Sequence, residues 1–478
     1  MKLRISSRQS DLAKNQAYQV GDALKKQITN LEVEYLFRES LGDKNLIDPL
    51  WKMPEKGVFT EDFYQDLVDE KTDMVVHSWK DLPTQVKSET QIAATLPRAD
   101  QRDFLIFKPS SLDKKQVILF SSSPRRTHNL TPFLKLALPS LPIEVNFQNV
   151  RGNIQTRIRK FIEDPAIDGL VLAKAALDRL LQDERAVETR EFVKSVIGKY
   201  KWMVLPLREN PNAAAQGAIA IEIKSSRQDI AELLKKINCP ESYKSAEAER
   251  NILKKFGGGC HLALGMSVLQ RTYGRIEIVK GLTPDSQHVK IENFIPTKPI
   301  PNGQEPIRLK FKTTRESLPI LDLKAFDAVY VAKAEAWNFE SQLNALVWTS
   351  GIETWKKLAK KGIWVTGSNE SLGEYEDKRI QHYFEKDLNW ARLSHDAASP
   401  EGSKKHIGSY RVQIEVEEQS IDPKAAYLWM SPIEFDVAIK KYPELISCRH
   451  VCGAGRTYEA LKKRLGSDQN LYLKLFLY

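Results

Sequence analysis

The residues with evident chemical potential are arginines, and they collect where strands are expected to end. Arg8 follows the run Lys2–Ser6, and Arg125 and Arg126 follow Val117–Phe120 through Ser121-Ser122-Ser123-Pro124. Arg151 follows a strand ending near Val150, with Gly152 and Asn153 opening a helix that carries Arg157. Arg179 sits on the helix after Gly169–Ala173, and Lys80 and Asp81 follow a strand ending at Ser78. Arginine grips carboxylates or phosphates through two parallel donors, and serine hydroxyls and helix N-termini add more. Any one of these arginines alone reads as a solvated loop residue. Several of them at successive strand ends point to one cleft that binds an anion.

Asp81 is an acid among cations, so its neighbours favour the ionised form. It could stabilise a positive intermediate or move a proton, or simply cap the segment after Pro83. Cys260 follows Gly257-Gly258-Gly259 and precedes His261. Glycines let a loop reach into a cleft, where a thiol can be a nucleophile or an attachment point; the alternative is a small buried apolar residue. Lys56-Gly57-Val58-Phe59 lies in a polar, Pro-bearing stretch that reads as a lid or as an ordinary loop. Cys448, His450 and Cys452 fit no zinc spacing, so no metal site is expected. Phosphate-loop and dinucleotide fingerprints are absent.

The elements that must hold these groups follow from periodicity. Lys2–Ser6, Glu32–Phe37, Asp73–Ser78, Val117–Phe120, Glu144–Phe147 and Gly169–Ala173 read as strands, and the intervening stretches as helices. Ser10 or Asp11 can cap a helix whose apolar face is Ala13, Ala17, Val20, Leu24 and Ile28. This alternation predicts α/β units with mostly parallel sheets, whose ligands bind beyond the carboxyl ends of the strands. From Tyr243 to Ile295 a helix, the glycine break and alternating strands such as Gly274–Lys280 read as a small α+β unit. Pro296, Pro299, Pro301 and Pro306 mark a linker. Beyond it the pattern is α/β again, with strands expected at Leu346–Thr349, Ile363–Thr366 and Tyr427–Met430.

The 478 residues, 42% hydrophobic and 28% charged, suit a globular chain of several domains. No apolar run is long enough to span a bilayer. The opening Met1-Lys2-Leu3-Arg4-Ile5-Ser6 lacks a signal-peptide core, and four cysteines make no disulfide scaffold, so a cytoplasmic location is expected. The formal charge of +10 favours anionic partners without choosing among them.

Together Ser7-Arg8-Gln9-Ser10, Ser40-Leu41-Gly42-Asp43, Val76-His77-Ser78-Trp79-Lys80-Asp81-Leu82-Pro83, Ser121–Arg126, Arg151-Gly152-Asn153 with Arg157, Gln216-Gly217-Ala218 and Gly258-Gly259-Cys260 resemble the porphobilinogen deaminase (hydroxymethylbilane synthase) family. The resemblance spans about residues 1–295. It implies a transferase of haem biosynthesis that condenses four porphobilinogen units, with loss of ammonia, into hydroxymethylbilane. The chain grows on a dipyrromethane cofactor held by a thioether at the position of Cys260. Asp81 takes the catalytic position, stabilising an azafulvene-like cation. Lys80, Ser78, Ser122, Ser123, Arg125 and Arg126 match cofactor contacts; Arg8, Ser10, Arg151, Arg157 and Arg179 match substrate contacts; Lys56 and Phe59 match the lid. Each pyrrole brings an acetate and a propionate, and opposed charges at about 4 Å interact by about 4 kcal/mol at an effective dielectric near 20, so an arginine-lined cleft suits that load.

The implied fold is α/β: two periplasmic-binding-protein-like lobes (residues 1–97 plus 203–222, and 98–202), a small α+β third domain bearing the cofactor cysteine (223–295), a linker (296–319) and an extra C-terminal α/β domain (320–478). Departures are Asn212-Ala213-Ala214-Ala215 where the family has Pro-Ala-Val-Gly, a long Gln182–Lys201 stretch, and a lid without the usual glycine pair. The tail resembles uroporphyrinogen-III synthase through Trp348-Thr349-Ser350, Gly367–Gly373, Tyr410-Arg411, Met430-Ser431-Pro432 and Cys452–Thr457, although it is short for two full lobes. A tail that cyclises hydroxymethylbilane and an inert tail both remain open; an inert tail would make the next enzyme of the pathway a candidate partner. A solute-binding module would need neither Cys260 nor Asp81. A nucleic-acid binder should interleave aromatics with its basic residues, where this chain pairs them with serines.

Overall fold

A computed structural model describes residues 1–39, 61–85, 87–139, 143–259, 262–319, 322–338, 343–398 and 404–475. Cys260, Lys56 and Phe59 lie outside the described residues. The chain divides into two compact units, the first being Met1–Lys135, Ile143–Leu269 and Glu277–Ile291, the second Leu136–Pro142, Gln270–Ile276 and Glu292–Tyr478. Among the described residues no helix is long and apolar enough to cross a membrane.

The first unit begins with β1 (Lys2–Arg8), α1 (Asp11–Gln27), β2 (Glu32–Arg38), α2 (Glu61–Val68), β3 (Met74–Ser78) and β4 (Thr90–Ala94). It continues through β5 (Asp103–Phe107), β6 (Gln116–Phe120), α3 (Pro124–Ala137), β7 (Glu144–Gln148), α4 (Ile154–Glu163), β8 (Gly169–Ala173), α5 (Lys174–Leu181), α6 (Val187–Lys199) and β9 (Lys201–Leu205). Then come β10 (Ile219–Lys224), α7 (Gln228–Lys235) and α8 (Pro240–Lys255), followed by the strands β11 (Leu264–Arg271), β12 (Gly274–Leu282) and β13 (His288–Pro296), of which Gln270–Ile276 and the residues from Glu292 on count with the second unit.

One five-stranded sheet has the order β2-β1-β3-β10-β4, and a second has β7-β6-β8-β5-β9. Leu3 and Ile5 of β1 and Ala17, Val20 and Leu24 of α1 are buried together, so the helical stripe read from the sequence is the face that covers the first sheet. Ala13 and Ile28 lie at its half-buried margin. Ser10 caps α1 by accepting from the Ala13 amide at 3.4 Å.

Four of the five strands in each of these sheets run the same way, as expected, but one strand in each is reversed. β1 runs parallel to β2 and β3, but β10 is antiparallel to β3 and β4. β6 runs parallel to β7 and β8, but β5 is antiparallel to β8 and β9. The physical reason is connectivity. The chain leaves the first sheet after β4, builds the second, and returns through residues 206–218 to insert β10 between β3 and β4. A strand entering that way runs against its neighbours.

β11, β12 and β13 form a three-stranded sheet. In the second unit, β14 (Phe311–Ser317), β15 (Ala328–Val331), β16 (Leu346–Thr349), α9 (Ile352–Ala359), β17 (Gly367–Ser368), β18 (Trp390–His395) and β19 (Lys405–Val416) come first. β20 (Ala426–Trp429), α10 (Pro432–Lys441), β21 (Arg449–Cys452), α11 (Arg456–Leu465) and β22 (Leu471–Leu473) follow. The first group makes a six-stranded sheet of order β14-β19-β18-β15-β16-β17, and β20-β21-β22 a separate parallel sheet. β14 therefore lies inside the stretch read as linker. Ile363–Thr366 is not a strand. Pairing falls instead on Gly367 and Ser368, opposite Trp348 and Thr349, and a Cβ at 367 would sit 2.4 Å from the Trp348 ring.

Candidate functional site

The turn after β3 carries Lys80 and Asp81. Trp79 is buried against Ala215, Ala218, Ala220 and Ala246, and its amide donates to the Ala218 carbonyl at 3.1 Å. That anchor fixes the turn, while Asp81 stays exposed. Lys80 Nζ donates to Gln216 Oε1 at 3.2 Å. Burial pushes the Lys80 amine down from its usual range; Asp81 and Asp103 oppose this, and Arg126 and Arg125 add to it. Ser78, last in β3, exchanges hydrogen bonds with the Gln16 carboxamide at 2.8 and 3.2 Å.

Arg125 and Arg126 begin α3. Both are buried, at 3% and 6% exposure, so they are built into the fold rather than waving in solvent. Arg125 donates to Asp103 Oδ2 at 2.8 Å, to Asn210 Oδ1 at 2.9 Å and to the Pro211 carbonyl at 2.7 Å. Arg126 donates to Asp103 Oδ1 at 2.7 Å and to the Val171 carbonyl at 3.1 Å. The Nε–H of each has no hydrogen-bond partner among the described residues. Burial would push the Asp103 carboxyl up, but the two guanidinium groups outweigh it and hold the carboxyl far below the usual range.

The serines set the loops. Ser123 Oγ accepts from the Arg126 amide at 3.5 Å. Ser122 Oγ donates to the Val150 carbonyl and accepts from the Val150 amide at 3.0 Å, so it joins the loop after β6 to the loop bearing Arg151. Gly152 has φ +115°, and a Cβ there would meet the Thr156 side chain at 2.6 Å, which makes glycine obligatory. Asn153 caps α4 by accepting from the Thr156 amide at 2.9 Å. Arg157 Nε donates back to the Gly152 carbonyl at 2.8 Å. Its guanidinium is pushed down to about 10 by burial and by Arg126 and Arg151, against the pull of Asp81. Arg157 thus feels Arg126, Arg151 and Asp81 at once, and Lys80 feels Asp81, Arg125 and Arg126. The groups read from separate strand ends share one region.

Arg179 on α5 is also buried and donates to the Gly217 carbonyl at 2.8 Å. Burial pushes it down to about 10, partly offset by Asp178. Arg8 ends β1 on the same edge as Ser78, since Ser6 stands opposite Val75 in the parallel register. Ser10 spends its side chain on the cap of α1.

Cys260 and His261 lie outside the described residues, but the approach to Cys260 is described. Gly257, Gly258 and Gly259 all have positive φ, and a Cβ on Gly258 would stand 2.6 Å from Thr84 Oγ1. Arg250 on α8 donates to the Leu82 carbonyl at 2.7 Å and to the Pro83 carbonyl at 2.5 Å. The glycine loop therefore abuts the turn that bears Lys80 and Asp81.

Asp103, Gln216, Asn210 and Gln16 are polar groups of this region that the sequence reading did not single out as site residues. For Asp103 a signal existed: an acid opens the strand Asp103–Phe107, which is buried throughout. Among the described residues no cluster of His, Cys, Asp and Glu could hold a metal ion. His450 accepts the Trp429 indole N–H at Nδ1, 3.1 Å away, in a buried aromatic setting.

Residues 3–232 match the family model described as porphobilinogen deaminase, dipyromethane cofactor binding domain. The chain is 36% identical over 278 residues to a porphobilinogen deaminase of Syntrophomonas wolfei, covering 58% of this chain and 83% of that one. It is 34% identical over 268 residues to that of Chromobacterium violaceum, covering 55% and 79%. To that of Clostridium acetobutylicum it is 31% identical over 293 residues, covering 61% and 91%. Among solved structures, the methionine-binding protein MetQ matches at a TM-score of 0.26 and 16% identity over 54% of this chain and 96% of that one, a likeness too slight to define the fold.

Proposed function

The chain belongs to the porphobilinogen deaminase family, and from that premise we propose how its own residues carry the reaction. The enzyme is a transferase that condenses porphobilinogen into hydroxymethylbilane with release of ammonia, using a dipyrromethane cofactor. When bound, that cofactor supplies the pyrrole carbon onto which substrate units are joined.

The donor set suits such a group. Among the described residues, Arg125, Arg126 and Arg179 each keep a buried Nε–H without a partner, and these are donors matched to carboxylates. Lys80, Ser78, Ser122, Ser123, Arg125 and Arg126 hold the cofactor side chains. Arg8, Ser10, Arg151, Arg157 and Arg179 hold those of substrate and growing product. Cys260 is the attachment point, and Lys56 and Phe59 serve the lid. Asp81 would offer its carboxylate to a pyrrole N–H. There it stabilises the cation that porphobilinogen leaves as ammonia departs, and it takes the proton released when aromaticity returns.

The sheet β2-β1-β3-β10-β4 and the sheet β7-β6-β8-β5-β9 form the cores of two periplasmic-binding-protein-like lobes. α8 with β11–β13 forms the third domain. The observation that carries the reading is the approach of Gly258 to Thr84, which brings the segment preceding Cys260 to the turn bearing Lys80 and Asp81.

Intact mass of the purified protein tests it. Wild type should carry a covalent adduct that Cys260→Ser lacks, and Asp81→Ala should fold while turnover collapses. An unmodified wild type with full activity, or an Asp81→Ala variant with normal turnover, would overturn the assignment.

A second reading concerns the tail, and one fold observation bears on it. It folds as two sheets, six-stranded and three-stranded, rather than one. In this reading the tail is uroporphyrinogen-III-synthase-like and cyclises hydroxymethylbilane. Feeding porphobilinogen decides it: type III uroporphyrinogen marks a working tail, and type I from spontaneous closure marks an inert one.

A further inference from the structure

We infer that Asp103 and Gln216 are positioning residues that set the spacing of Arg125, Arg126 and Lys80, an inference that rests on the deaminase reading above. Two guanidinium groups side by side repel, and α3 alone does not hold them in parallel. The Asp103 carboxylate does: Oδ1 accepts from Arg126 at 2.7 Å and Oδ2 from Arg125 at 2.8 Å. Asn210 Nδ2 adds a third bond, to Oδ2, at 2.8 Å. Gln216 extends the network. Its Nε2 donates to Asp103 Oδ1 at 2.9 Å and to the Gln101 carbonyl at 2.8 Å, while its Oε1 accepts from Lys80 Nζ at 3.2 Å.

Both residues are almost fully buried, so neither is placed to meet substrate directly. Their effect is exerted through the cations they hold. Gln216 is itself fixed: its carbonyl accepts from Arg98 Nε at 2.9 Å, and the next carbonyl, of Gly217, accepts from Arg179. Asp103 opens β5 of one sheet, Lys80 follows β3 of the other, and Gln216 lies on the segment crossing between them. Side chains from three separated segments thus join two arginines and one lysine in a single hydrogen-bonded frame.

The charge balance explains why a frame is needed. Asp103, with Asp81 beside Lys80, faces three cations, so the group still keeps an excess of positive charge that attracts acidic substituents and also drives the cations apart unless they are pinned. Gln216 is neutral. It can hold Lys80 without cancelling the charge that a carboxylate ligand must feel.

The test uses full-length Asp103→Asn and Gln216→Leu, with steady-state kinetics on porphobilinogen and intact mass for adduct loading. Wild type must load the adduct and turn over, which separates failure of the deaminase reading from failure of this one. Asp103→Asn should load the adduct incompletely and raise KM more than it lowers kcat. Gln216→Leu frees Lys80 and should load fully, with kcat about 10- to 100-fold lower and KM within a few-fold, because a displacement of about 1 Å at a reacting site can cost about 100-fold in rate. A general loss of packing would instead lower the melting temperature and the active fraction, leaving the KM and kcat of the folded protein alone. If Asp103→Asn does not fold, Gln216→Leu decides alone. A Gln216→Leu enzyme with wild-type kcat, or a folded Asp103→Asn enzyme with full loading and unchanged KM, overturns the inference.

Discussion

Arg98 and Glu249, 151 positions apart, meet as a doubly bonded pair, with Nη1 donating to Oε1 at 2.9 Å and Nη2 to Oε2 at 2.6 Å. Glu249 is wholly buried and also accepts from Asn212 Nδ2, the Ala215 amide and the Val268 amide. One carboxylate thereby joins α8, the 206–218 crossing, β11 and the residues after β4. Glu249→Ala strands a buried guanidinium and three donors, and should lower unfolding free energy by about 3–5 kcal/mol. Urea denaturation measures it. A loss below about 1 kcal/mol is the range of exposed pairs and would contradict the buried geometry.

Gly217 has φ +87°, and a Cβ there would lie 2.6 Å from the Ala99 carbonyl oxygen, a backbone atom that cannot rotate away. Gly217→Ala should destabilise the protein by roughly 1–3 kcal/mol from conformational strain. Thermal melting reads the effect, and an unchanged midpoint would mean the crossing has another conformation in solution.

Acid should weaken the first unit in a defined window. Burial pushes the Asp100 carboxyl up, but Arg102 and Lys174 outweigh it and hold it well below the usual range. Asp103 is depressed in the same way by Arg125 and Arg126. A carboxyl lowered on folding contributes stability that is complete above its unfolded value and is lost as pH falls through the folded one. Melting temperature should therefore be flat above about pH 4 with respect to these groups and fall below it. A midpoint that holds steady down to about pH 2 would refute the pairing.

Arg157 is anchored through Nε to the Gly152 carbonyl at 2.8 Å, and its proposed role is to hold a substrate carboxylate. Arg157→Ala should keep the fold and raise KM for porphobilinogen about 10- to 100-fold, the worth of a hydrogen bond to a charged group. Steady-state kinetics at two ionic strengths would check it. A KM equal to wild type would remove Arg157 from the substrate contacts.

Much of this was legible beforehand because local rules apply. Ser10 and Asn153 cap helices as their residue types suggest, and Gly152 stands where only glycine fits. The motif carrying Lys80 and Asp81 was readable for the same reason, since residue type and order survive without coordinates. Antiparallel insertion of β10 and β5 was not legible. Strand direction within a sheet depends on which distant segments pair, and periodicity carries no record of that. The failed strand at Ile363–Thr366 has the same origin: its apolar run is genuine, but pairing with Trp348 and Thr349 falls on Gly367 and Ser368.

Motif order by itself pointed to the reaction class, and residue chemistry singled out Asp81, Cys260 and the arginines as the acid, tether and ligands that we propose. Tertiary structure alone decided that Asp103 holds Arg125 and Arg126 together and that Gln216 reaches from them to Lys80. Those partners are remote along the chain, and a buried polar group is satisfied by whatever the fold brings within about 3 Å, a distance no sequence spacing encodes.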